Sequence, residues 1–385
     1  MSKKIISKRK SSFTLEPDGF SIHTFELSRQ LTHKEYCSVK DGLYRQQENT
    51  ANSGWIYKDD YGNHICTLYK KYGIRTIKLE HNESDRMDTY FIRMVVNPRK
   101  LIDPESSYIG ILPPEKSSIK QLKKAFAKLF EDTVFENDIN DYQLTRVDIC
   151  TNIRCDNKKL FRELVRVLRK LPTPPKYERK FYKGKDKKAA NRYNKHYLRF
   201  TCGTHELVIY DKIYQIQESS LTVSYEKLPE GVLRFEVHCE WAYIRKCEKE
   251  WDCAATEDVL WRFIQDSESR IVKHFGQCFS DTHFVQMNEL EKMISNAPFK
   301  KENKSAMLEL AIQLQRVQSV DKALKNLEKM GYNTTGLLDR FDGLGISPIP
   351  LWKNFCAKEL PGPVELLRAM SDGELSVEYV KIKHK

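Results

Sequence analysis

Leu233-Arg234-Phe235-Glu236-Val237-His238 decides how this chain is read. Apolar and ionisable side chains alternate along it, and in a strand alternate residues share a face. Arg234, Glu236, His238 and Glu240 then line one face, opposite Leu233, Phe235 and Val237. Two other stretches behave alike. Leu144-Thr145-Arg146-Val147-Asp148-Ile149 points Arg146 and Asp148 one way and Val147 and Ile149 the other. Leu207-Val208-Ile209-Tyr210-Asp211-Lys212 carries a tyrosine and a lysine two residues apart. Hiding carboxylates and guanidinium groups in a core is costly. A sheet with one apolar and one functional polar face is the economical reading.

Working outward, 64–70, 74–80 and 89–96 read as strands, the last stopped by Asn97-Pro98. Residues 118–131 place Ile119, Leu122, Phe126, Leu129 and Phe130 at helical spacing. A strand at 142–153 and a helix at 157–171 follow, the helix closed by Pro172. Next come a basic stretch, a hairpin (197–202 and 206–211, turning at Gly203-Thr204) and the strand 231–240. Two successive strand-plus-helix units hint at an internal duplication. Beyond residue 248, segments 256–275, 287–296 and 305–330 read as helices, with Gly331 as C-cap. The expected class is α+β: an N-terminal mixed or antiparallel sheet with helices on one face, and a helical C-terminal domain. The expected divisions are a basic flexible tail over 1–20, a catalytic domain over 21–248 and the helical domain over 249–385.

The chain has 385 residues, a formal charge of +12 and a sequence pI near 9.0. That excess favours an anionic partner, nucleic acid foremost. It is concentrated between Lys176 and His196, where Lys176, Arg179, Lys180, Lys183, Lys185, Lys187, Lys188, Arg192 and Lys195 face only Glu178 and Asp186. Tyr177, Phe181, Tyr182 and Tyr193 are interleaved. Basic groups neutralise phosphates while aromatics stack on bases. The plainer alternative is a solvated loop with aromatics tucked beneath it. No apolar run approaches the ~20 residues of a membrane span. The first residues lack a secretory signal's apolar core, so a cytoplasmic protein is expected. The ten cysteines include no Cys-x-x-Cys and read as reduced, mostly buried thiols. No Gly-x-x-x-x-Gly-Lys-[Ser/Thr] is present, so no motor is encoded.

If the three polar strands are neighbours, Asp148 and Glu236, with Glu240 or His238, make an oxygen-rich pocket suited to Mg²⁺ or Mn²⁺. Tyr210 is then a candidate nucleophile and Tyr214 its rival. Lys212 would lower the phenol's pKa or steady phosphate charge, and Arg146 and Arg234 would clamp phosphate oxygens. The competing reading is that Arg146 with Glu236, and Arg234 with Asp148, are cross-strand ion pairs, and that Tyr210 is packing.

Thr145-Arg146-Val147-Asp148, Leu207 to Lys212 and Val232 to Glu240, in this order, resemble the filamentous-phage gene II replication initiators and related plasmid rolling-circle initiators. Val95-Val96-Asn97-Pro98-Arg99-Lys100-Leu101, Lys329-Met330-Gly331-Tyr332-Asn333 and Gly345-Ile346-Ser347 extend the resemblance over roughly residues 60–350. It implies a nickase and strand transferase acting at an origin, single-stranded at the nick, in a bacterial host. Tyr210 would hold the 5′ end and release a 3′-OH. Asp148 and Glu236 would be metal ligands, with Glu240 as a further acid, and a host helicase and polymerase would be partners. His238 has no counterpart in the pattern. The alternatives are a conjugative relaxase of the same chemistry and a non-catalytic DNA-binding replication regulator.

Overall fold

The computed structural model describes residues 5–49, 55–84, 87–183, 186–218, 229–352, 355–371, 373 and 375–383. Its strands are β1 (Ile5–Leu31), β2 (Ile56–Lys58), β3 (His64–Cys66), β4 (Ile74–Asn82), β5 (Thr89–Val96), β6 (Gln143–Cys155), β7 (Glu178–Lys180), β8 (Tyr197–Thr201), β9 (His205–Asp211), β10 (Gly231–Glu240), β11 (Phe284–Val285), β12 (Glu359–Leu360) and β13 (Leu375–Lys383). The helices of the first two-thirds are α1 (His33–Asn49), α2 (Pro98–Ile102), α3 (Lys116–Phe130), α4 (Lys158–Leu168), α5 (Lys187–Tyr193), α6 (Lys212–Glu218), α7 (Trp241–Trp251), α8 (Thr256–Gln265) and α9 (Ser267–Cys278). Then come α10 (Met287–Asn296), α11 (Lys301–Arg316), α12 (Val320–Lys329), α13 (Leu337–Asp342) and α14 (Pro363–Ser371). The class is α+β, as the alternating strands and the later helices require.

Eleven strands form one sheet in the order β2-β3-β4-β5-β1-β6-β10-β9-β8-β7, with β13 on β1. Every ladder in it is antiparallel. Read outward from the β1–β6 seam, the order is the same on both sides. Unit one is β1-α1-β2-β3-β4-β5, and unit two is β6-α4-β7-β8-β9-β10 with α5 and α6 added. The internal duplication is therefore a pair of strand–helix–four-strand units about a pseudo-twofold axis. Arg93 of Ile92-Arg93-Met94 in β5 sits where Arg234 of Leu233-Arg234-Phe235 sits in β10.

Local chemistry sets the element ends. The Asn157 side chain accepts from the Lys159 and Leu160 amides and starts α4. Asn97 caps α2, with Pro98 in the first turn. Gly73 has φ +92°, and its carbonyl accepts from the Asn97 amide at 2.7 Å. A Cβ there would strike the Leu101 and Asn97 backbone, so glycine closes this corner. Single long helices were expected over 256–275 and 305–330. The first breaks at Asp266. The second breaks before Ser319, whose hydroxyl accepts from the Lys322 amide and caps α12. Gly331, at φ +85°, ends α12 as expected.

Two divisions differ from the sequence reading. The stretch 5–20, read as part of a tail, belongs to the longest strand. It pairs with β13 through Ile5↔Lys383 to Phe13↔Leu375 and then with β6. The helices after residue 248 do not stand apart from the sheet. α8 packs on β1 and β6, and α9 on β1, β6 and β10. One apolar core joins Phe25, Val147, Phe235 and Val237 to Phe263, Phe275 and Leu310. Each such side chain contributes roughly 1.5–3 kcal/mol on burial. α11 and α12 are tied to the end of α4: the Val320 amide donates to the Lys170 carbonyl, and Thr173 to Asp321. No described helix is long and apolar enough to cross a membrane.

Candidate functional site

Residues opposite one another in a ladder share a face, so register alone assembles the site. His238 lies opposite Asp148 on β6 and Glu206 on β9, and Thr24 of β1 lies opposite Asp148. Arg234 lies between Asn152 and Tyr210, and Tyr210 is opposite Tyr197. Glu240 faces Arg146. The polar sides of the three strands thus form one continuous wall, while α4, α8 and α9 cover the apolar side.

At its centre the His238 ring bridges two carboxylates, with Nε2 2.8 Å from Glu236 and Nδ1 3.1 Å from Glu206. Burial alone would lower the His238 pKa. The Asp148 charge and the two carboxylate bonds outweigh it and raise it well above the imidazole range. Burial would likewise raise Glu206 and Glu236, yet both are held below the carboxylate range, chiefly by His238. Arg199 closes the far side on Glu206 at 2.5 Å. These signs fix a stability profile. The His238 contribution is full below the ordinary imidazole range and is lost as pH climbs through its raised pKa. The Glu206 and Glu236 contributions are present above the ordinary carboxylate range and are lost as pH falls through their lowered values. Urea midpoints should therefore form a plateau that falls on both sides. His238→Gln should remove the part of the alkaline fall that belongs to the ring. Identical alkaline limbs in the two proteins would refute this assignment.

Tyr210 donates its hydroxyl to Glu236 Oε1 at 2.8 Å. It is buried, and burial together with the Glu236 charge pushes its pKa well up, so it rests as a neutral phenol. Lys212 does not share the tyrosine's strand, because β9 ends at Asp211 and Lys212 begins α6. Its Nζ still lies 5.9 Å from the Tyr210 ring centre and donates to Gln215. Burial and the Arg234 charge push the Lys212 pKa well down. Tyr214, the rival, stands apart, stacked on His196 at 3.8 Å between ring centres.

The expected arginine clamps divide. Arg146 is half-buried and pairs with Asp148, Nε to Oδ1 at 3.0 Å. Asp148 also accepts from the Thr24 hydroxyl. Arg234 is wholly buried, a correction to its reading as a phosphate clamp. Its Nε donates to Asn152 at 2.6 Å and its Nη2 to the Ile109 carbonyl, which also accepts from Asn152. The segment carrying Ile109 therefore lies over that end of the wall, and Nη1 is left 3.7 Å from Glu236. The pairs of these two arginines run within strands, Arg146 with Asp148 and Arg234 with Glu236, rather than crosswise.

Asp148, Glu236 and Glu240 share the wall, but among the described residues no three His, Cys, Asp or Glu side chains are set to hold one ion. Thr24 and Arg146 close Asp148, and Tyr210 and His238 close Glu236. The carboxyl of Glu240 is half-buried, and burial raises its pKa against the pull of Arg146. As arranged, the set makes no cation cage.

The basic stretch folds back on itself. The Tyr182 amide donates to Asn194 Oδ1 at 2.9 Å, and Asn194 returns a bond to the Tyr182 carbonyl. Lys180, Lys183, Lys187, Lys188 and Arg192 are exposed, and Lys185 lies outside the described residues. Phe181 and Tyr182 are exposed. Four tyrosine rings lead inward: Tyr182 to Tyr193 at 5.0 Å, Tyr193 to Tyr197 at 5.1 Å and Tyr197 to Tyr210 at 5.2 Å. The candidate nucleophile and the basic stretch are thus joined by a row of rings.

Sequence reasoning missed Glu206, Arg199 and Thr24. Glu206 was legible, because it continues the alternation Tyr210, Val208 one step back. Thr24 was not, because β1 is buried on both faces there and bulged between Ile22 and Thr24. Compared with known proteins, the chain matches no family model and no curated protein sequence.

Proposed function

We propose that this chain nicks and rejoins DNA through a covalent phosphotyrosine, as an initiator of rolling-circle replication in a phage, plasmid or integrative element. The observation that carries the reading is the Tyr210 hydroxyl donating to Glu236 on a buried charged wall, at the inner end of a tyrosine row that begins in an exposed basic stretch. In the proposed step Tyr210 Oη attacks the scissile phosphorus, and its proton passes to Glu236 Oε1. The bond from phosphorus to the 3′ oxygen breaks, and that oxygen leaves as a 3′-OH, the proton held by Glu236 being returned to it through water. The 5′ phosphate stays on Tyr210, and reversal rejoins the strand. Arg146, half-exposed beside Asp148, would meet a phosphate oxygen first. Exposed lysines of 176–196 would hold the flanking backbone. The freed 3′-OH would prime a host polymerase, with unwinding left to a host helicase.

The test mixes the protein with supercoiled DNA from its own replicon, in Mg²⁺, in Mn²⁺ and in EDTA. Open circles carrying protein on a 5′ end are expected. Salt-sensitive binding without strand breakage under every condition would favour the non-catalytic regulator. Breakage confined to a transfer origin would favour the relaxase.

A further inference from the structure

The duplication gives the sheet two outer edges, β2 and β7, related by the pseudo-twofold axis. Among the described residues nine large aromatic side chains are exposed. Five of them (Tyr44, Trp55, Tyr57, Tyr61 and Tyr72) lie on elements at the β2 edge, and two (Phe181 and Tyr182) follow β7. Trp55 and Tyr57 are 73% and 51% exposed, which is costly for rings with nothing to cover them.

These two rings share a face, and register identifies it. Tyr57 lies opposite Ile65, Ile65 opposite Lys78, and Lys78 opposite Arg93. A chain of ion pairs runs the same way: Asp59–Lys78 at 3.6 Å, Lys78–Glu80 at 2.9 Å, Arg93–Glu80 at 2.8 Å and Arg93–Glu26 at 3.3 Å. Glu26 lies opposite Arg146. The polar wall that holds Asp148 and Tyr210 therefore continues across β1, β5 and β4 to the β2 edge. At the other end Lys180 lies opposite Arg199, on the same wall. Lys58 in β2, Lys70 and Lys71 between β3 and β4, and Arg75 in β4 are exposed, as are the acids Asp60 and, on α1, Asp41.

We infer that the β2 edge is a second nucleic-acid contact, at which single-stranded DNA lying across the polar wall stacks bases on Trp55 and Tyr57. This rests on the proposed function for its choice of DNA. The supporting facts are the repeated pairing of exposed rings with lysines at both edges, and the charge of the β2 edge. A stacking platform takes any base, so the contact would be independent of sequence. Unit two supplies the chemistry, and unit one the grip on the strand.

The probe is a thirty-nucleotide oligo(dT), which carries no origin and reports binding alone. Trp55→Ala/Tyr57→Ala in the full chain is expected to raise its Kd at least tenfold, and Trp55→Phe less than threefold. Lys58→Ala/Lys70→Ala/Lys71→Ala should flatten the slope of log K against log salt by about 2. Both rings are exposed, so the variants should keep the wild-type melting temperature. Unchanged dT binding by a folded Trp55→Ala/Tyr57→Ala protein overturns the inference, as does a loss seen only with duplex DNA. Nicking by wild type separates the two readings. Intact nicking with unchanged dT binding sinks the edge contact alone. Weakened dT binding in a protein that never nicks keeps the contact and removes the initiator.

Discussion

Tyr210→Phe protein is expected to bind origin DNA as tightly as wild type and to leave no strand covalently attached. The substitution removes one oxygen. It keeps the ring against Tyr197 and leaves Glu236 with its His238 and Arg234 partners. What it removes is the hydroxyl that donates to Glu236. Denaturing gels with 5′-labelled DNA read the adduct directly, and its loss should be complete, beyond 10³-fold. A surviving adduct would move the nucleophile, first to Tyr214, which stacks on His196. Loss of both adduct and binding would show Tyr210 to be packing, the competing reading of a strand tyrosine.

Arg234→Met should cost about 3–5 kcal/mol of stability, because it strips a buried cation from partners that stay buried. Asn152 and the Ile109 carbonyl lose their donors, and Glu236 loses its nearest arginine. Arg234→Lys should recover little, since one ammonium cannot reach Asn152 and Ile109 together while facing Glu236. The control is Arg146→Met on the same wall. Arg146 is partly exposed, so water can take over part of its pairing with the buried Asp148, and its loss should cost less, about 1–3 kcal/mol. Urea denaturation of the three proteins checks this ranking. Equal losses at 234 and 146 would mean that burial does not govern this wall.

The wall itself was legible from alternation. Strand 231–240 has the bounds that the sequence indicated, and the facing of Arg146, Asp148, Glu236 and Tyr210 followed from counting by two. What failed did so for physical reasons. Arg234 was read as available to phosphate because nothing in β10 foretells that Ile109, from a distant turn, will cover it. His238 looked expendable beside a family pattern, yet its ring lies within bonding distance of both Glu206 and Glu236. β1 was passed over because Lys8, Arg9 and Lys10 look like a solvated tail. Pro17-Asp18-Gly19 and two further irregularities break its phase besides. The sheet order is a matter of long-range pairing that no local pattern encodes.

The long first strand also bears on how the molecule comes into being. β1 leaves the ribosome before any strand it pairs with. Its β5 and β6 partners follow at residues 89–96 and 143–155, and β13 only at 375–383. Such pairings close large loops before they gain contacts, which slows folding and leaves strand edges open meanwhile. During synthesis, then, Ile5–Phe13 of β1 wait for β13 long after the rest of the strand can meet β5 and β6. The protein's yield in a cell should depend on chaperone supply and on translation speed more than its finished core would lead one to expect.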